Sequence, residues 1–297
     1  MLALPRGVPL ANRFKTHPPV KLITARVNTQ TQNTPTSARD AYLVGSATSV
    51  FSVSDLRLRV WPILATIGLG LAVILPSGYV TALFLKGTGL QRANAMPWLA
   101  LLAHHAVMVV ISLVLIAWLS KGRVSEYGLQ WPKRNSYALS ALAWGGFFGL
   151  FMTVVDYFPQ ILKHLPPPEN LSLAPASMGA WLFFEAIYVG PTEEIPFRGL
   201  MQTFLMQRTS GRVRLFSYEM HVAGVILAIL FALAHLTSFW TENFWLAFGQ
   251  QIYAFALGVL YAYWREKSGS LWAPILGHNM SDGVEYVLMF VMTWVWR

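Results

Sequence analysis

Three short polar clusters interrupt the most apolar part of the chain, and their side chains are those used in acid–base chemistry. They occur in PTEEIPFRGL (191–200), in FALAH (231–235) and in HNMSD (278–282). The ionisable members are Glu193, Glu194, Arg198, His235, His278 and Asp282. A carboxylate can take a proton from water, and an imidazole can donate or accept a proton near neutral pH. The residue types therefore predict a site for proton transfer or hydrolysis.

The spacing places several of these side chains on shared helical faces. Glu194 and Arg198 are four residues apart, in the order that favours an ion pair on a helix. Such a pair largely cancels its own charge and leaves Glu193 as the carboxylate without a local partner. His278 and Asp282 have the same spacing and are expected on one face of their helix.

The elements around these clusters are predicted to be membrane-spanning helices. Of the 297 residues, 55% are hydrophobic and only 12% are charged, whereas soluble domains carry about 25% charged residues. Several apolar runs reach the roughly 20 residues that a helix needs to cross a bilayer. We therefore predict an all-α, polytopic transmembrane bundle of about seven spans, or eight if the last segment divides. The predicted segments are 58–85, 97–119, 137–158, 178–207, 222–240, 244–264 and 270–296.

The three clusters are expected at similar depth in the bilayer. At 1.5 Å per helical residue, Glu193 lies about 22 Å from Arg208 and His235 about 20 Å from His221. Asp282 lies about 17 Å from Leu271. Ionisable groups at membrane depth are costly and usually functional. Their convergence from three helices predicts an enclosed polar site.

Residues 1–55 are predicted to be a disordered polar and basic tail, followed by N-terminal spans in 56–134 and a core in 135–297. The tail also has the composition of an organellar transit peptide, which stays open as an alternative. Basic residues recur in alternate loops, which predicts a multi-pass membrane protein with a cytoplasmic N-terminus. The net charge of +9 is therefore attributed to topology rather than to nucleic-acid binding, which we do not expect. The absence of cysteine excludes a cysteine protease, a disulfide framework and a thiolate metal site.

Pro191 and Pro196 flank the two glutamates. A proline in a helix interior removes one backbone hydrogen bond and frees a carbonyl, which in a membrane must be covered by protein or water. Pro196 predicts that a helix starts or kinks near residues 192–195. Glu193 would then lie near a helix N-terminus.

The three clusters resemble the EExxxR, FxxxH and HxxxB motifs (B is Asn or Asp) of the CPBP intramembrane proteases. This family includes type II CAAX prenyl endopeptidases and bacteriocin-processing and immunity proteins. The matching stretches are EEIPFR, FALAH and HNMSD, in the family order, within residues 135–296. The resemblance implies a membrane-embedded hydrolase that cleaves a membrane-associated, in some members prenylated, protein or peptide. Pro196 and the aspartate in the last motif depart from the common pattern.

The resemblance also implies roles for individual residues. Glu193 would activate the attacking water, and His235 would contact that water or the developing oxyanion. His278 and Asp282 fill the third motif; an ionised Asp282 cannot donate a hydrogen bond, so its role would shift to orienting His278. The supporting residues are Glu194, Arg198 and Phe231.

Two alternatives to a metal-free glutamate protease stay open. Glu193, His235 and His278 could form a three-ligand catalytic zinc site, although the chain has no HExxH stretch. The second alternative is a non-catalytic membrane protein, namely an immunity factor, a scaffold or a proton-coupled transporter, because carboxylates within a membrane also serve proton relays. We expect no cofactor, with Zn²⁺ as the alternative.

Other polar residues in apolar runs are expected to have structural roles. His104 and His105 are predicted to pack, and Asp156 to be solvated near a span end. Glu185 is expected to make a structural hydrogen bond, although it could line the cavity. Glu285 follows Asp282 by three residues and could extend the site.

Overall fold

The structure is a computed structural model that describes residues 51–57, 59–89, 97–133, 135–169, 171–241 and 243–297. Residues 1–50, which make up most of the predicted disordered tail, lie outside the described residues. The tail therefore stays a prediction over that range.

The described chain is mostly helical, as the composition predicted. In chain order the main elements are β1 (Phe51–Arg57), α1 (Val60–Thr88), α2 (Pro97–Leu119), α3 (Ala138–Lys163), α4 (Pro175–Phe183), π1 (Phe184–Tyr188), α5 (Val189–Glu194), π2 (Ile195–Gln202), α6 (Thr203–Met206), β2 (Ser210–Leu215), β3 (Tyr218–His221), α7 (Val222–Ala234), α8 (Ser238–Thr241), α9 (Phe244–Ser268) and α10 (Trp272–Val295). The segment from α4 to α6 is named the central helix. A single 3₁₀ turn, Val124–Tyr127, lies between α2 and α3.

Five helices of the described chain are long and apolar enough to cross a membrane: α1, α2, α3, α7 with its extension, and α9. Together they make the chain an integral membrane protein. The central helix and α10 coincide with two further predicted spans but are not among the five. The central helix is divided by its two π segments, and α10 carries the polar HNMSD stretch. The predicted total of seven or eight spans stays a prediction.

A small antiparallel sheet, in the order β1–β2–β3, departs from the all-α prediction. β2 and β3 form a hairpin in which Leu215 pairs with Tyr218, and β1 pairs with β2 through Phe51 opposite Leu215. The first five residues of β1 had been assigned to the disordered tail. β1 finds its partner more than 150 positions away in the chain, so its own sequence carries little local signal for pairing.

The central helix continues through both prolines. The backbone angles of Glu194 (φ −71°, ψ −29°) and Ile195 (φ −63°, ψ −52°) are helical, so the predicted helix start near Pro196 is wrong, and the predicted kink stays a prediction. The chain instead widens into π2 at Ile195 and accommodates the proline within the wider turns. Such π segments are rare overall, but those that occur are often found at functional sites. Glu193 is thus an interior residue of a continuous helix.

Helices α3 and α10 pack closely because glycines remove side-chain volume between them. A Cβ on Gly145 would lie 2.6 Å from the carbonyl oxygen of Gly277, and one on Gly149 would lie 2.4 Å from that of Ser281. Real Cβ atoms do not approach so closely. The two glycines therefore fix the position of α10, which carries His278 and Asp282.

Candidate active site

A cavity of about 290 Å³ lies among α2, α3, the central helix, the end of α7, α9 and α10. The four residues predicted to be catalytic all line it: Glu193, His235, His278 and Asp282. Further polar residues also line it, among them His105, Glu185, Glu285 and Tyr286. The convergence predicted from the three clusters is therefore present in the fold.

Glu193 faces a different imidazole with each carboxylate oxygen. Its Oε1 lies 4.0 Å from Nε2 of His105, and its Oε2 lies 3.8 Å from Nε2 of His278. Both distances are too long for a direct hydrogen bond. Distances of this size are expected between two polar groups that are bridged by one water molecule. Glu193 thus lies between two imidazole rings at the wall of the cavity.

Glu194 lies behind the cavity in a fully buried ion pair. Its Oε1 accepts from Arg198 Nη1 at 2.9 Å, and both side chains are 0% exposed. The same oxygen lies 2.8 Å from Nδ1 of His278. The predicted pair is present, and it has a second function that the spacing did not reveal, because Glu194 fixes the orientation of His278.

Asp282 contacts the other nitrogen of that ring. Its Oδ2 lies 3.3 Å from Nε2 of His278, on the side that faces Glu193, and its Oδ1 accepts from Ser281 Oγ at 3.0 Å. Tyr261 stacks on the ring at 5.4 Å and donates to or accepts from Ser281. Orientation of His278 through Nδ1 therefore belongs to Glu194, and Asp282 lies beside the reactive face.

Phe231 lines the cavity and also supports the buried ion pair. The guanidinium carbon of Arg198 lies 4.2 Å from the centre of the Phe231 ring and 5.2 Å from that of Tyr261. Aromatic faces attract a cation at such distances. They compensate for Nε and Nη2 of Arg198, which are buried and have no hydrogen-bond partner within the described chain.

His235 caps the C-terminal end of α7. Its Nδ1 lies 2.9 Å from the carbonyl oxygen of Phe231, so this nitrogen carries the proton and donates. Gln251 holds the following turn by donating to the His235 carbonyl at 3.2 Å. The ring is thereby fixed with its other nitrogen available to the cavity.

Residues outside the predicted catalytic set also reach the cavity. His105 packs edge-on against Phe184, as predicted, but it also faces Glu193. Glu185, for which lining the cavity was the alternative, and Glu285, which could extend the site, both line the cavity. Asp156 accepts from Tyr253 at 2.9 Å in a partly buried position instead of being solvated. Helical spacing alone could not select His105 over His104, since the choice depends on which face of α2 meets the central helix.

Asn279 was not predicted as a site residue, yet its side chain covers the backbone carbonyl that Pro191 leaves without a hydrogen-bond donor. Its Nδ2 donates at 3.1 Å to the carbonyl of Ile187, the group that loses its helical donor because residue 191 is proline. Its Oδ1 accepts from the amide of Gly190 at 2.8 Å. A Cβ at position 190 would lie 2.3 Å from Oδ1 of Asn279, which explains the glycine. The sequence did contain an indication of this role, because Asn279 is a polar amide within an apolar segment and directly follows the motif residue His278.

A catalytic zinc site requires three protein ligands that converge on one point. Among the described residues, no three His, Asp or Glu side chains form a group that could hold a metal ion. Glu193, His235 and His278 share the cavity, but as placed they do not form the ligand set of a catalytic zinc.

The helices of a membrane protein thus bring Glu193 and three histidines, His105, His235 and His278, to one cavity. Residues 175–284 match the family model of the type II CAAX prenyl endopeptidase Rce1-like proteins. This match confirms the predicted resemblance and supports a CAAX-type, protease-like membrane hydrolase. No curated protein and no solved structure matches the chain. All three motifs lie within the matched segment, whereas His105 lies outside it.

Proposed function

We propose that this protein is a glutamate-dependent intramembrane endopeptidase that hydrolyses a peptide bond of a membrane-anchored protein or peptide. The observation that supports it most is the position of Glu193. Each of its oxygens faces an imidazole nitrogen inside a cavity that the matched segment helps to form.

In this proposal Glu193 takes a proton from the attacking water and later passes it to the leaving amine. Water adds to the substrate carbonyl, and the tetrahedral oxyanion then needs hydrogen-bond donors. The Nδ1 protons of His235 and His278 are directed at the Phe231 carbonyl and the Glu194 carboxylate. Donation from Nε2 therefore requires the protonated ring. We assign this donor role to the imidazolium forms of His235 and His278.

The substrate is expected to reach the cavity from the bilayer. The family match makes a prenylated CAAX protein the first candidate, and a membrane-anchored peptide precursor is the other. Basic residues recur in alternate loops, on the side predicted for the basic N-terminal segment, so the N-terminus is proposed to be cytoplasmic.

The principal test is a cleavage assay on the purified full chain with a farnesylated CAAX peptide. Glu193→Gln should lower kcat about 100- to 10,000-fold, as expected for loss of a general base, while the thermal unfolding midpoint stays near that of the wild type. Glu126→Gln is the matched control because the Glu126 side chain forms an exposed ion pair with Arg123 and does not line the cavity. Full activity of Glu193→Gln would refute the mechanism.

Metal dependence is tested in the same assay. We propose a metal-independent reaction, so cleavage should persist in excess chelator and purified protein should contain no stoichiometric zinc. Loss of cleavage in chelator, restored by Zn²⁺ and accompanied by one bound zinc per chain, would favour the zinc alternative. The bound metal is measured by elemental analysis.

A further inference from the structure

His105 lies on α2, outside the segment that matches the protease family, yet it forms part of the wall of the same cavity. The residue is only 7% exposed, and its ring packs edge-on against Phe184 at 5.1 Å. An ionisable side chain held rigidly at such a position has a cost in a membrane protein. Nothing in the three motifs accounts for it.

The protonation of the ring follows from its neighbour Thr192. The Thr192 hydroxyl lies 2.9 Å from the carbonyl oxygens of Tyr188 and Val189, so its single proton is directed to the backbone. Its oxygen also lies 2.9 Å from Nδ1 of His105 and can only accept there. In the neutral ring Nδ1 therefore carries the proton and Nε2 is an acceptor.

This acceptor faces a second acceptor. Nε2 of His105 and Oε1 of Glu193 are 4.0 Å apart, and two lone pairs cannot satisfy each other. A water that donates one proton to each would separate its two acceptors by about 4 to 4.5 Å, from ordinary hydrogen-bond lengths. The observed separation meets that requirement. Such a water directs its own lone pairs away from both groups, as a nucleophile must.

We propose that His105 is a further catalytic residue, which accepts a hydrogen bond from the nucleophilic water and orients it together with Glu193. Thr192, the residue next to Glu193, then acts as a positioning residue because it sets the tautomer of His105. One proton of the water passes to Glu193 as the oxygen adds to the carbonyl, and the other stays directed at His105. The inference rests on the proposed hydrolytic function.

Kinetics with the farnesylated CAAX peptide test the catalytic role. His105→Phe keeps the ring volume but removes the acceptor and should lower kcat about 10- to 100-fold, with KM changed less than about twofold, because only water orientation is lost. His105→Gln, whose amide oxygen can accept, should recover part of kcat. His104→Phe is the control, since His104 adjoins the same ring but does not line the cavity.

The positioning role is tested through Thr192. Thr192→Val removes the hydroxyl and should lower kcat, whereas Thr192→Ser retains it and should stay near wild type. Two results would overturn the inference. One is a His105→Phe variant that cleaves the peptide as fast as the active wild type, and the other is a His105→Phe variant in which only KM changes.

A second measurement does not depend on substrate. In ¹⁵N-histidine-labelled full-length protein, the imidazole signals lost in His105→Phe identify His105. We expect the Nδ1-protonated tautomer in the wild type and in Thr192→Ser, and a mixture of tautomers in Thr192→Val. An Nε2-protonated ring in the wild type would overturn the inference. Failure of the wild type to cleave any membrane-anchored peptide would instead refute the proposed function.

Discussion

The strongest stability prediction concerns Asn279, whose side chain replaces backbone hydrogen bonds of the central helix. Asn279→Leu removes the donor to the Ile187 carbonyl and the acceptor for the Gly190 amide. Ile187 is exposed on the surface of the chain, and in the apolar surroundings of a bilayer no water replaces a lost partner. Each backbone group left unsatisfied there costs about 1 to 3 kcal/mol, so the two groups together predict a loss of about 2 to 6 kcal/mol. The measurement is equilibrium or thermal unfolding in detergent micelles.

A double-mutant cycle isolates the part of that cost due to the proline. Pro191→Ala restores an N–H at position 191, which can donate to the Ile187 carbonyl four residues earlier. In this background Asn279→Leu should leave only the Gly190 amide unsatisfied, and its cost should fall to about 1 to 3 kcal/mol. The coupling between the two substitutions is then about 1 to 3 kcal/mol.

Pro159→Ala is the matched control. Pro159 lies near the C-terminal end of α3, so its replacement also restores a helical N–H, but at a site away from Asn279. It should show no coupling with Asn279→Leu. Equal costs of Asn279→Leu in the wild-type and Pro191→Ala backgrounds would refute the assignment of the Asn279 amide to the carbonyl that the proline leaves unpaired.

Three further predictions follow from described contacts. Arg198→Met leaves the carboxylate of Glu194 buried without its cation, and unfolding measurements should show a loss of about 3 to 5 kcal/mol together with lost cleavage; a stable, active variant would contradict the role of the pair. Gly149→Ala places a Cβ against the Ser281 carbonyl and should cost about 1 to 3 kcal/mol by overpacking, with a lower kcat because α10 is displaced; unchanged unfolding and kinetics would show that α10 can move without consequence. His221 caps α7 by accepting from a backbone amide, and burial lowers the pKa of its ring, so stability should be full above the unfolded pKa of about 6.5 and decrease as pH falls below it; His221→Asn, which caps without titrating, should remove this decrease, and an unchanged pH dependence of the melting temperature would contradict the assignment.

The polar positions of the candidate site could be predicted because each is visible locally. Glutamates or histidines within an apolar run are costly at membrane depth, so their positions alone indicate function. The Glu194–Arg198 pair followed from helical spacing. These inferences use only neighbours in the chain, and the cavity brings the predicted residues together as expected.

Contacts between elements could not be predicted in the same way. The hydrogen bond from His278 to Glu194 joins residues 84 positions apart, and that from His105 to Thr192 joins residues 87 apart. Each depends on how a helix is rotated against its neighbour, which the sequence pattern leaves open. The π segments were also not predicted, because their wider turns have no compositional signature. The proline within π2 was therefore interpreted as a helix start or kink.

The β1–β2 pairing restricts how the chain can be threaded through the bilayer. Hydrogen-bonded strands must lie on the same side of the membrane, so residues 51–57 and 210–215 share one aqueous compartment. The chain between them must therefore make an even number of passages, which agrees with the four crossings predicted for α1, α2, α3 and the central helix. Reporters attached ahead of β1 and in the β2–β3 turn should be reached by the same impermeant reagent.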